Sequence, residues 1–466
     1  MSGLGLIIAF VIAIILMIFA ISKLKIHPFL SIMGVSLLLG LVAGIPLVNV
    51  TQADGTVVMG LPNVIGSGFS GTFTSIGIVI ILGALIGTIL EKSGAAFKLA
   101  DMVIKLVGSK RPDLALLIMG WVISIPVFCD SGFVILNPIR RALVRRTGTS
   151  SVAMTVCLSA GLYASHVFIP PTPGPIAAAN TLGIGNNLLL VIGLGVLVSI
   201  PALIASYLYA KFISKRVRAE DEADKAAKEG EIVKTYEQIV AEHGRLPSGL
   251  LSLSPIIVPI LLMALGSIAS MAKWTGMAYD ISVFLGTPII ALAVGTLFGV
   301  WLLADTRSMK DFYKITDETL RTVGPILFVT AAGGVLGRVI AVSGMVQYIT
   351  SNAELLQTVG IFFPFILAAI LKTAQGSSTV AITTTAGIMA PLLGLLGLDT
   401  AALSALTVMA IGAGAMTVSH ANDSYFWVVT NFGSMTPEQG YKTQTLVTLV
   451  EGIAAMVGVF LLWLVL

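Results

Sequence analysis

Four ionisable side chains stand inside otherwise apolar stretches of the chain: Asp130, His166, His420 and Asp423. An ionised group at the centre of a membrane-spanning helix costs ~2.5–3.5 kcal/mol on insertion scales, so such residues are read as functional. A carboxyl in a low-dielectric cavity can load and release a proton, which makes Asp130 and Asp423 candidate proton carriers. Histidine titrates near neutrality unaided. A packed histidine capping a broken helix would explain His166 or His420 alone. Their recurrence just before a break in both halves of the chain favours a shared role in proton coupling. Glu91 is a weaker candidate, beside Lys92 at a helix end.

Small polar residues surround these groups. One run reads Phe128-Cys129-Asp130-Ser131-Gly132, then Asn137-Pro138; another reads Lys372-Thr373-Ala374-Gln375-Gly376-Ser377-Ser378-Thr379. A half-helix starting at Ser131 or Ser377 would aim free N–H groups and a positive dipole end at a carboxylate. Ser131, Gly132, Gly376, Ser377, Ser378 and Thr379 are therefore candidate carboxylate-binding residues. Asn137, Gln375 and Asn422 supply amides for a polyhydroxylated substrate, and Lys372 can balance a negative charge. Isolated small residues also serve close helix packing, but two such breaks in matching positions ask for more. The run Pro170-Pro171-Thr172-Pro173-Gly174-Pro175 reads as a rigid extended segment poor in N–H donors.

The elements that must carry these groups follow from composition. Of 466 residues 56% are apolar and 11% charged, with a mean hydropathy of +0.99. Soluble domains are about 25% charged, so the chain reads as an all-α integral membrane protein in a lipid bilayer. A net charge of +4 is no nucleic-acid footprint. Two cysteines, Cys129 and Cys157, exclude a disulfide scaffold or a four-cysteine zinc site. No metal or organic cofactor is expected. The coupling ion is read as a proton, with sodium as the rival because Ser377–Thr379 and Thr383-Thr384-Thr385 offer oxygen ligands. An intramembrane aspartyl protease using Asp130 and Asp423 would need a Gly-x-Gly-Asp context that is absent; the chain reads as no enzyme.

Spans of ~20 apolar residues are expected at Leu4–Ile21, Phe29–Val48, Thr72–Leu90, Leu188–Tyr209, Leu250–Met271, Ile281–Leu303, Val323–Val342 and Thr443–Leu466. Lys23 and Lys25 follow the first apolar run instead of preceding it, which reads as a retained span and not a secretory signal. Glycines and polar markers recur at an offset near 250. Gly83, Gly87 and Ser93-Gly94 match Gly333, Gly337 and Ser343-Gly344, and Ser165-His166 matches Ser419-His420. The chain therefore divides into a first repeat over 1–216, with a re-entrant hairpin at 113–147 and a broken helix at 151–183. A charged cytoplasmic loop occupies 217–250. A second repeat over 251–466 has its hairpin at 361–396 and its broken helix at 401–432. Basic residues sort to the cytoplasm. Lys23, Lys25 and Arg140–Arg146 belong there; Lys92, Lys98, Lys105, Lys110 and Arg111 face a second-half stretch, Ala341–Ile361, without Lys or Arg, and Arg140–Arg146 face Gly387–Leu398, also without any. The repeats are thus expected to be inverted, with about five spanning helices plus one hairpin each and both termini periplasmic. Inverted repeats with helices broken at the midplane are the architecture of secondary transporters.

At these residues the chain resembles the gluconate permease (GntP) family. The likeness is carried by Cys129-Asp130-Ser131-Gly132, by His166-Val167-Phe168-Ile169-Pro170-Pro171-Thr172-Pro173-Gly174-Pro175, by Gln375-Gly376-Ser377-Ser378-Thr379-Val380 and by Ser419-His420-Ala421-Asn422-Asp423-Ser424. The resemblance implies a bacterial inner-membrane proton symporter for gluconate or a related small organic anion, although some members take other substrates such as D-serine. It further implies kinship with two-hairpin elevator-type carriers, in which a mobile domain moves against a homodimeric scaffold.

Overall fold

The computed structural model of the protein describes residues 4–99, 102, 111–219, 221, 246–271, 274–344, 360–420 and 423–466. The fold is built almost wholly from helices. The first half contributes α1 (Leu4–Ser22), α2 (Pro28–Val42), α3 (Leu61–Thr72), α4 (Ile78–Lys92), α5 (Pro112–Ile123), α6 (Cys129–Thr147), α7 (Ser151–Phe168), α8 (Pro173–Thr181) and α9 (Leu188–Ile213). The second contributes α10 (Gly249–Met271), α11 (Met277–Gly286), α12 (Pro288–Asp305), α13 (Phe312–Val342), α14 (Phe362–Gln375), α15 (Ser378–Met389), α16 (Ala401–Met416), α17 (Ser424–Phe432), α18 (Pro437–Gly440) and α19 (Leu446–Trp463). A small antiparallel ribbon, β1 (Val50–Thr51) with β2 (Val57–Val58), follows α2.

Element boundaries recur at the offset the glycines showed. The first residues of α5 and α14 are 250 apart, those of α7 and α16 are 250 apart, and those of α8 and α17 are 251 apart. Even the caps repeat: Ser150 accepts the Ala153 N–H before α7, and Thr400 accepts the Leu403 N–H before α16. The α3–α4 unit and its counterpart α13 lie antiparallel. Gly68 packs on Val335 near one end of the pair, and Lys92 meets Glu318 at 3.2 Å at the other.

α7 is buried along its whole length, and α16 is buried from Ser404 to Met416. The outer helices instead expose apolar stripes at helical spacing, such as Ile257, Leu261, Leu265 and Ile268 on α10 or Ile200, Ile204 and Leu208 on α9. Such faces suit lipid. Among the described residues six helices are long and apolar enough to cross a membrane.

The repeat-marking glycines act as contact points. A Cβ on Gly87 would lie 2.1 Å from the Pro126 carbonyl oxygen at the first hairpin's turn, and one on Gly83 2.8 Å from that of Pro171. In the second half Gly337 presses on Gly387 and Gly333 on Thr383. The same helix in each half is therefore stripped of side chains where the interrupted elements lean on it.

Several spans differ from the hydropathy expectation. The second stops at Val42, where Gly44 turns the chain at φ +79° into the ribbon. The third starts earlier, at Leu61, and passes through a π-helical turn, Phe73–Gly77. Ile281–Leu303 is cut at Thr287-Pro288, because proline disfavours helix in the residue before it. α13 extends back to Phe312 through Lys314, Asp317, Glu318 and Arg321, a polar turn that an apolar window cannot register. The part of the charged loop at 222–245, and the stretch 345–359, lie outside the described residues.

Candidate functional site

Hairpin α5–α6 breaks where Ser124 Oγ donates to the Val127 carbonyl at 2.8 Å, closing the turn before Cys129. Asp130 thus sits in the first turn of α6. Hairpin α14–α15 breaks at Gly376, whose φ of +90° demands glycine. Ser377 then caps α15 by accepting the Val380 N–H at 3.3 Å. α7 ends at Phe168, and the segment through Thr172 leads into α8; Thr172 Oγ1 donates to the Ile169 carbonyl at 2.7 Å. α16 ends at Met416, and the strained Val418 (φ +56°) leads to Asp423, the cap of α17. Four interruptions arise from proline, glycine and capping side chains, each for a local reason.

Asp423 ties them together. Its Oδ1 accepts the Tyr425 N–H at 3.0 Å, while Oδ2 receives Lys372 Nζ and the Ser419 hydroxyl, both at 2.5 Å. Lys372 is 1% exposed, and its ammonium also donates to the Gly376 carbonyl and lies 5.7 Å from the Tyr163 ring centroid. Tyr163 shares a side-chain hydrogen bond with Ser378 and stacks at 5.2 Å on Tyr425, whose hydroxyl donates to the Ser159 carbonyl at 2.9 Å. Across the centre, the Ser424 hydroxyl donates to Asp130 Oδ1 at 3.2 Å. The starts of α6, α15 and α17 therefore converge on one place, joined by Asp130, Ser424, Asp423, Lys372 and Tyr163.

The other candidates take distinct positions. His166 is buried at the end of α7, 5.9 Å from the Phe128 ring, with Nδ1 unpartnered among the described residues. His420 Nε2 lies 3.0 Å from the Thr373 carbonyl oxygen. Ser131 shares a side-chain hydrogen bond with Glu91 and lines a cavity of about 190 Å³ with Thr88, Lys92, Glu318 and Thr322. Gly132 faces Leu162, which a Cβ would approach to 2.6 Å, so it serves packing of α6 on α7. Thr379 is buried in the first turn of α15.

Asn137 is not beside the convergence. Its Oδ1 accepts from Arg140 Nε at 2.7 Å, and Arg140 in turn reaches Ser151, Asp221 and the Phe432 carbonyl. Two helical turns separate it from Asp130, a spacing the run Asp130–Asn137 already contained. Asn422 and the Gln375 side chain lie outside the described residues. Two buried acids are absent from the sequence-based candidates: Asp113 at the start of α5, which is paired with Lys211, and Glu451, enclosed in α19 with both carboxyl oxygens unpartnered among the described residues. The signal of Glu451 was a lone acid inside an apolar run.

With this geometry in hand, relatives can be weighed. The family model described as GntP family permease matches residues 5–465. The chain belongs to the GntP permease family. An uncharacterized permease of Haemophilus influenzae is 35% identical over 91% of this chain and 85% of its own length. A gluconate permease of Pseudomonas aeruginosa is 30% identical over 98% and 97%. Among solved structures, Neisseria gonorrhoeae MtrF, described as one of a class of antimetabolite efflux pumps, superposes with a TM-score of 0.62 at 16% identity over 96% of each chain. That likeness concerns the fold. As a member of a permease family, the protein is a transporter and not an enzyme.

Proposed function

We propose that this GntP-family transporter is a proton-coupled importer of gluconate or a related small sugar-acid anion across the bacterial inner membrane. The observation that carries the reading is the convergence of three helix starts on Asp130, Ser424 and the Lys372–Asp423 pair. Free amides of the first turns of α6 and α15, near Ser131 and Ser377–Thr379, suit the substrate carboxylate. Gln375, Asn422 and Ser424 meet its hydroxyls, while Asn137 is left to the Arg140 network.

Coupling follows from charge. Lys372 and Asp423 neutralise each other, which leaves Asp130 as the uncompensated acid at the α6 start; its bonded neighbours are Ser424 and Cys129. Two like charges about 4 Å apart repel by ~4 kcal/mol at an effective dielectric constant near 20. An anion reaching the α6 amides therefore binds far better when Asp130 carries a proton, and the two enter together. His166 and His420 flank the route. The offset of the helices and the antiparallel α3–α4 and α13 support two inverted halves, and the placement of Lys and Arg favours periplasmic termini. The hairpins and broken helices then form a moving, elevator-type unit against a dimeric scaffold.

Sodium coupling is the second reading, favoured by the buried Thr384 and Thr385 hydroxyls, which have no partner among the described residues. A thermal-shift screen of the purified protein across gluconate, other aldonates, glycerate and D-serine tests the substrate class. A ligand at 100 times its dissociation constant stabilises by ~2.7 kcal/mol, so aldonates are expected to raise the transition clearly. Stabilisation by non-acidic polyols and not by the acids would overturn the carboxylate pocket.

A further inference from the structure

Glu451 sits roughly midway along the span Pro437–Trp463, 0% exposed, with neither carboxyl oxygen bonded among the described residues. The elements packed on α19 are α9, α16, α7, the π-helical turn Tyr441–Thr445 and the start of α14, where Phe362 meets Phe460 at 5.3 Å. α16 carries no ionisable residue. The ionisable groups of α9 are Tyr207, Tyr209 and Lys211, at the end where the Tyr209 hydroxyl donates to the Lys442 carbonyl, with Tyr441 and Lys442 on the turn beside it. α7 offers Cys157, Tyr163 and His166, and Tyr425 of α17 is within electrostatic reach. Lys372 is already bonded to Asp423 and Gly376. No cation on these elements is placed to balance an ionised Glu451.

A buried carboxylate without donors is strongly disfavoured, and even the neutral acid gains nothing here over a leucine or methionine of similar volume. Packing therefore does not explain a glutamate at this position; titration does. Two hydrogen-bonded links lead from its helix to the candidate site. Thr448, one turn before Glu451, accepts the Ser419 N–H at 3.0 Å, and the Ser419 hydroxyl bonds Asp423. Gln444, about two turns before it, accepts the Ser159 hydroxyl at 2.6 Å, and the Ser159 carbonyl accepts from Tyr425.

We propose that Glu451 is a second proton site of this transporter, neutral in the arrangement described here and ionised when the protein opens α19 to water. The inference rests on the transport reading above. In each cycle the carboxylate takes one proton from the outer aqueous phase and returns it to the inner one, with no other bond made or broken.

Infrared spectroscopy of the full-length protein in lipid vesicles tests the site without any substrate. At neutral pH a carbonyl stretch of a protonated carboxyl is expected in the unaltered protein and in Asp130→Asn, where Asp130 cannot contribute, with a matching loss of intensity in Glu451→Gln. In vesicles, Glu451→Gln is expected to accumulate gluconate to a clearly lower ratio under the same pH gradient, because only the Asp130 proton remains coupled, while exchange of labelled for unlabelled gluconate persists, which also shows the variant is folded. Absence of the band in Asp130→Asn, an undiminished band in Glu451→Gln, or full pH-driven accumulation by that variant would overturn the proposal. If the unaltered protein exchanges no gluconate, the substrate reading fails, and the band alone still decides on Glu451.

Discussion

Replacing Lys372 by methionine removes one partner of a buried ion pair while keeping most of the side-chain volume. Asp423 is then left with the Ser419 hydroxyl at 2.5 Å and the Tyr425 N–H at 3.0 Å, and with no positive charge at bonding distance. Breaking such a pair from one side costs ~3–5 kcal/mol, and the Gly376 carbonyl at the hairpin break loses its donor for about 1 kcal/mol more. A loss of at least about 4 kcal/mol falling wholly on unfolding is a rate faster by roughly 10³-fold or more, since 1.36 kcal/mol is tenfold. Because unfolding of such proteins is commonly irreversible, the rate in detergent micelles is the useful readout. Adding Asp423→Asn to Lys372→Met removes the orphaned charge, keeps an acceptor for the Tyr425 N–H and turns an amide N–H toward the Ser419 hydroxyl, which can accept it, so most of the loss is expected to return. An unfolding rate for Lys372→Met within about twofold of the unaltered protein, where ~0.4 kcal/mol or less is at stake, would refute the pairing. So would strictly additive effects in the double variant.

Three further outcomes follow from named contacts. Gly87→Ala and Gly337→Ala drive a Cβ to 2.1 and 2.3 Å from backbone oxygens and are expected to destabilise by ~1–3 kcal/mol; Gly66→Ala, with open space around it in α3, is expected to be neutral or slightly stabilising in the same unfolding assay. Arg140→Lys gives up the fork that reaches Asn137, Ser151, Asp221 and the Phe432 carbonyl, and about 2–3 kcal/mol should be lost. Asp221→Asn, which takes a carboxylate from the fully buried Arg140, should cost more than the ~1 kcal/mol of an exposed pair. Asp130→Asn is expected to bind aldonates with an affinity that no longer falls as pH rises, because the acid whose proton the anion requires is gone; calorimetric titrations at several pH values read this directly.

The positions of the interruptions were legible in the sequence because each is written locally. Gly376, the prolines from Pro170 to Pro175 and the capping Ser377 and Asp423 dictate breaks within a few residues of themselves. The glycines at the 250-residue offset were legible too, but as markers of repetition; that Gly87 seats Pro126 and Gly337 seats Gly387 is a fact of tertiary packing. Partnerships between distant residues were not legible. Lys372 and Asp423 are 51 positions apart, and Asp130 and Ser424 are 294. Asn137 read as a substrate amide because of its type, although Arg140 three residues on is a local i,i+3 partner for it. Glu451 escaped because a single acid barely lowers the mean hydropathy of the span around it. Its meaning lies in the lack of a bonded partner among the described residues, with Lys211 and Lys442 near the far end of the helices packed there, which only the fold exposes.

Vesicles holding the purified protein, loaded at high pH and diluted into labelled gluconate at low pH, test the central claim most directly. Accumulation above the external concentration, collapsing when a protonophore dissipates the gradient and indifferent to sodium, is the predicted result. Uptake that only equilibrates, or that requires a sodium gradient and ignores pH, would contradict proton-coupled import.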